Sequence, residues 1–161
     1  LAKKRTYREF KQGVYKPLDT KKCLNKTFPI YRSGLERQMM LVLDKNPNVL
    51  SWGSENVIIP YYKSVEKRTA RYFLDFYIKL QVGELIKEFI IEVKPHSQTE
   101  ERTYRKGTKA STILYESLTF KTNKDKWLAA QKWCKEQKDK KNRDIEFIII
   151  TEKNIATIFG S

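Results

Sequence analysis

Two apolar runs, residues 71–81 (RYFLDFYIKLQ) and 86–94 (IKEFIIEVK), are separated by only Val82-Gly83-Glu84-Leu85. That spacing constrains the fold more than any other feature of the chain. A glycine at the first central position of a two-residue turn suits type II′ geometry, so the runs are expected to form a tight antiparallel hairpin. The turn sets the register: Lys79 faces Glu88, Ile78 faces Phe89, Tyr77 faces Ile90 and Phe76 faces Ile91, all reasonable cross-strand pairs.

Carried one step further, the same register sets Asp75 opposite Glu92. Two carboxylates directly across a sheet have Cβ atoms about 5 Å apart and repel each other, and nothing about folding asks for that. A hard divalent cation such as Mg²⁺ resolves the conflict, because it prefers carboxylate and water oxygens and is held by one or two acidic side chains. Lys94 lies two residues beyond Glu92, so strand alternation puts its ammonium on the same face. Asp, Glu and Lys converging on one patch is the equipment of metal-assisted phosphodiester hydrolysis. The plain alternative is a salt-bridge cluster on a solvated hairpin face. Position, at the end of the apolar EFIIEVKP and opposite RYFLDF, favours the site.

Around the hairpin, Ser33 and Glu36 match the S-x-x-E capping box, predicting a helix with Leu35, Met39, Val42 and Leu43 on one face that stops near Asn46 and Pro47. The cap alone accounts for Glu36. Residues 57–62 read as a first strand, and residues 96–111 as a polar, basic loop. A long helix is expected over about residues 123–138, with Trp127, Ala130, Gln131 and Cys134 on its apolar face. Trp127 and Trp133 suit packing better than base stacking. IEFIII, residues 145–150, reads as a strand buried on both faces, reached from the hairpin by a right-handed crossover. Thr151 is expected to cap a short terminal helix through Phe159. The order is that of an α/β domain with one mixed sheet flanked by helices.

The 161 residues suit one domain, and 33 Lys and Arg against 19 Asp and Glu give a net charge of +14. Nucleic acid is the natural partner for such a balance. Residues 1–29 hold nine of the cations, including Lys3, Lys4 and Arg5, against Glu9 and Asp19. They read as a basic arm ordering on DNA or on a protein assembly, with the domain proper over residues 30–161. Arg102, Arg105, Lys106 and Lys109 are candidate phosphate clamps. Cys23 and Cys134 lack metal-ligand spacing, so neither a disulfide framework nor a zinc site is expected, in keeping with a reducing compartment. His96, the only histidine, leaves few parts for histidine chemistry. No run approaches a membrane span.

The segments RSGLE (32–36), WGSENVIIPYY (52–62), RYFLDF (71–76), IIEVKP (90–95) and NKDKWLAAQKWC (123–134), followed by IEFIIITE, resemble the PD-(D/E)xK nucleases. Within them the chain is similar to the TnsA-like branch, and in particular to members from tailed phages. The resemblance implies a restriction-endonuclease-like αβββαβ core and a metal-dependent DNA endonuclease using Mg²⁺, with Mn²⁺ as a substitute. It also implies Asp75, Glu92 and Glu36 as metal ligands, Lys94 as the catalytic lysine, and a polar residue near the site at Glu55. The family's Pro-Asp pair is absent, Leu74 preceding Asp75. As partners it implies DNA and phage head, portal or neck proteins, and as location the virion and, during assembly, the host cytoplasm. Two other readings stay open: a neck protein whose nuclease fold serves as a clamp, and a transposase or restriction subunit.

Overall fold

The computed structural model describes residues 12–159. Its elements are strands β1 (Gly13–Val14) and β2 (Ile30–Tyr31), helix α1 (Gly34–Lys45), strands β3 (Val49–Ser54), β4 (Ile58–Lys63), β5 (Arg68–Phe73), β6 (Phe76–Val82) and β7 (Leu85–Val93), helix α2 (Ala110–Lys141) and strand β8 (Ile145–Ile150). The central sheet runs β3-β6-β7-β8, with β7 and β8 parallel and the other pairs antiparallel. It is a mixed sheet flanked by helices, as expected.

The hairpin forms in the expected register, from Phe76 opposite Ile91 to Val82 opposite Leu85. Gly83 has φ +60° and open space around it, as the first central position of the turn requires. Residues 71–81 are not one strand, however. The chain breaks at Leu74 and Asp75, leaving β5 paired with β4 in a separate ladder and β6 in the central sheet. The first central strand is therefore Val49–Ser54 rather than residues 57–62, which belong to that side hairpin.

Alternation assigns the two faces. Phe76, Ile78, Ile91 and Val93 pack with Met39, Met40 and Leu43 of α1, with Trp52, and with Ile155 and Phe159. Ile90 packs on the other face with Tyr72, Leu74, Ala130, Cys134 and Ile145. Ser33 caps α1, its Oγ accepting from the Glu36 N–H at 3.1 Å. Leu35 and Val42 are only partly buried, whereas Met40 and Asp44 are buried.

Helix α2 starts at Ala110, 13 residues before the expected start. Its buried residues are Asn123, Ala130 and Cys134, while Gln131 is exposed. Asn142 ends it in the left-handed region at φ 50°. The expected terminal helix is a run of turns over residues 152–159, opened by Thr151, whose carbonyl accepts from Ile155. β8 is an edge strand with both ends buried but Glu146 exposed, so it is not buried on both faces throughout.

From Gln12 on, the segment read as an arm lies against the domain. Tyr15 is buried in the α1-side core, and Lys22 Nζ donates to the carbonyls of Asn46, Asp44 and Leu43 at 2.8, 3.1 and 3.4 Å. A cation there complements the carbonyl end of α1. Lys3, Lys4 and Arg5 fall outside the described residues.

Candidate active site

The site forms where β7 loses its β6 neighbour. Leu74 turns aside, its N–H bonding the Val57 carbonyl, so the strand partner that Val93 would meet is missing. The Asp75 carboxylate takes that place, accepting the Val93 N–H at 2.7 Å. The Asp75 carbonyl accepts from Glu55 N at 3.1 Å, and Glu55 is held in the left-handed region at φ 53°. A non-glycine residue in that region is uncommon, and it sits beside the residue whose placement matters most.

Glu92 and Lys94 follow Ile90 on the α2 face. Glu92 is 5% exposed. One of its oxygens accepts from Lys94 Nζ at 2.8 Å and the other from the Tyr72 hydroxyl at 2.7 Å. Burial, and next the charge of Glu92, push the Asp75 carboxyl well above the ordinary carboxylate range. The Val93 N–H and Lys94 oppose that shift, and Glu36 adds to it. Tyr72 is likewise raised, by burial and then by Glu92.

The structure thus brings Asp75, Glu92 and Lys94 together, with Glu36 within electrostatic reach from the helix on the opposite face of the sheet. The Glu36 carboxylate itself accepts the Arg32 N–H at 2.7 Å, so it closes the start of α1. No group of three or more acidic, histidine or cysteine side chains among the described residues surrounds a common point. A shared three-acid cage including Glu36 is therefore not formed. Two mutually repelling carboxylates still fit Mg²⁺, which takes one or two protein carboxylates and fills its shell with water and phosphate oxygens.

The sequence reading missed two neighbours. Tyr72 orients Glu92, and Lys126 of α2 lies over the Tyr72 and Tyr61 rings, 5.3 and 5.9 Å from their centroids. Burial lowers Lys126 below the ordinary lysine range, while Glu92 is the strongest influence holding its charge. Heptad-like counting along NKDKW offers no hint of this, because Lys126 meets the site across a layer.

Other expected residues stand apart. Glu55 adjoins the site only through its backbone, and its carboxylate pairs instead with Arg32 at 2.5 Å on the surface. His96 gives its backbone N–H to Glu152 and lies near Glu100. Arg102 pairs with Glu116 at 2.9 Å, whereas Arg105, Lys106 and Lys109 are exposed. Trp127 packs edge-on against Phe120 and Trp133 lies under Arg143.

The mixed sheet thus presents two carboxylates and a lysine at the frayed edge of a hairpin, in a restriction-endonuclease-like fold. The chain matches the family described as "TnsA-like endonuclease N terminal" over residues 46–152, and it belongs to that family. It is also similar to the "Head completion nuclease" of Enterobacteria phage T4, with 34% identity over 131 residues that cover 80% of this chain and 81% of that relative. The family match takes in Asp75, Glu92 and Lys94 and begins after Glu36.

Proposed function

We propose that the chain is a Mg²⁺-dependent DNA endonuclease that acts in completing phage heads after packaging, among head, portal or neck proteins. The observation that carries this reading is the pair of carboxylates, Asp75 and Glu92, set against each other so that burial and like charge raise the Asp75 carboxyl, with Lys94 hydrogen-bonded to Glu92. Asp75 and Glu92 would hold the ion; when bound, it lowers the pKa of a water and offsets phosphate charge. Lys94 is positioned by Glu92 at 2.8 Å to meet negative charge building on the phosphate. Tyr72 keeps Glu92 from rotating away, and Arg105, Lys106 and Lys109 offer positive charge to the strand. The name of the T4 relative, a head completion nuclease, supports both the nuclease reading and the head-completion setting.

A plasmid-nicking assay tests the reaction. Wild type should cut supercoiled DNA with Mg²⁺ or Mn²⁺ and stop in a chelator, and Glu92→Ala should be inert. Equal behaviour of wild type and Glu92→Ala would leave the clamp reading in its place.

A further inference from the structure

A cleft of about 330 Å³ lies between the segment after Lys94 and the first half of α2. Its size is at the small end of ligand pockets. The aromatic rings of Tyr104, Tyr115 and Phe120 line it, and Tyr115 is 72% exposed, an unusual cost for a large aromatic side chain unless something stacks on it.

At the same cleft sits Asn123, a polar residue only 6% exposed that forms part of its lining. Glu116 also borders it: Arg102 occupies Oε1, the Tyr104 hydroxyl lies against the same carboxylate, and Oε2 is buried without a partner of its own. Buried polar atoms are satisfied in the great majority of folded proteins, so the unpaired Glu116 oxygen, with the polar Asn123 beside it on the same cleft, points to a ligand with complementary groups.

Charge decides which part of a nucleic acid could enter. Glu100, Glu101 and Glu116 line the cleft against the single cation Arg102, which disfavours a phosphate but suits the amino and ring N–H groups of a base. Three exposed cations, Arg105, Lys106 and Lys109, lie on the same segment just outside, where the flanking phosphates would run. Along the chain the cleft's lining also lies close to the residues of the candidate site. That lining begins at Ser97, three residues after Lys94, and Asn123 is one helical turn from Lys126, which senses the charges of Glu92, Lys94 and Asp75.

We propose that this cleft captures one unpaired nucleobase of a DNA strand beside the scissile phosphate, with Asn123 and Glu116 reading its polar edge and the aromatic rings stacking on its face. This deepens the endonuclease reading and rests on it for the identity of the polymer. A substrate with frayed or single-stranded character follows, since a base must leave its stack to enter.

The test uses the full chain and a single-stranded oligonucleotide carrying one 2-aminopurine, in chelator so that no cutting occurs. Wild type should quench the fluorescence on binding. Asn123→Leu, which removes the amide at similar size, should weaken quenching-linked binding at least tenfold while its Tm stays at or above that of wild type. Tyr115→Ala should weaken it several-fold, and an abasic residue in place of the probe should cost as much as Asn123→Leu. Undiminished binding by Asn123→Leu, or equal affinity for the abasic strand, would overturn base capture even if Mg²⁺-dependent cutting is intact. A several-degree fall in Tm for Asn123→Leu would also overturn it, by making Asn123 a structural residue. Base capture without any Mg²⁺-dependent cutting would instead sink the reaction and leave the cleft's role standing.

Discussion

Asp44, buried, and Asp75, half-buried, are two acids at different places in the same fold, and their surroundings differ in kind. Asp44 is surrounded by donors: the Tyr15 hydroxyl at 2.7 Å and the backbone N–H groups of Leu18 and Asp19 at 2.6 and 3.4 Å. It ties the N-terminal segment to α1. Asp75 has the Val93 N–H for a partner and faces another carboxylate. A buried acid surrounded by donors is a fastener, whereas one set against a like charge is held in reserve for a counterion.

Four experiments bear on that contrast. The largest effect is expected in catalysis: Asp75→Asn or Glu92→Ala should lower nicking by about 10³-fold or more, a scale typical of losing groups that stabilise charge in the transition state. Asp44→Ala should do the opposite, costing about 3 kcal/mol in denaturant titrations by stranding its donors, with activity per folded molecule kept. If Asp44→Ala left stability untouched, the fastener reading would be lost.

Third, Lys126→Ala should reduce nicking about tenfold, roughly 1.4 kcal/mol in the barrier, with Lys126→Arg restoring part of it. The pH profile distinguishes this from simple packing loss, because removing a cation beside Glu92 and Asp75 should move the acidic limb to higher pH. A profile that merely falls in height would make Lys126 a packing residue.

The smallest effect concerns stability without metal. The folded-state pKa of Asp75 lies above its unfolded value, so between those two values the native chain binds the extra proton and stability falls as pH rises. Above the raised value the penalty is complete. Asp75→Asn should therefore be more stable than wild type at neutral pH, on the order of 1 kcal/mol, and the two should converge as the medium becomes acidic. Mg²⁺ should raise the Tm of wild type and not of the variant. Thermal melts across pH, with and without the ion, check both.

The contrast also shows what could be read from residues alone. The hairpin register was legible because one glycine sets it, and with it came the meeting of Asp75, Glu92 and Lys94. The strand that opens the central sheet was not, because VLSWGS breaks its apolar run with Ser51, Gly53 and Ser54, while IIPYYK carries the stronger β signal and pairs elsewhere. The first half of α2 was missed because its apolar residues lie all round it, Leu114 and Leu118 on one side and Ile113 and Phe120 on the other, and leave no one-sided stripe to detect. Tyr15 and Lys22 were invisible as anchors for another reason: their partners lie 29 and 21–24 residues away. Charge counting saw the cations of that segment and not where they settle.

The interruption at Leu74 and Asp75 has an evolutionary corollary. The β4–β5 ladder shares no strand pairing with the central sheet, so its tip at residues 64–67 can gain or lose length without shifting the pairing of Phe76 with Ile91. A change of length there would leave Asp75 opposite Glu92, a modularity built from one missing rung.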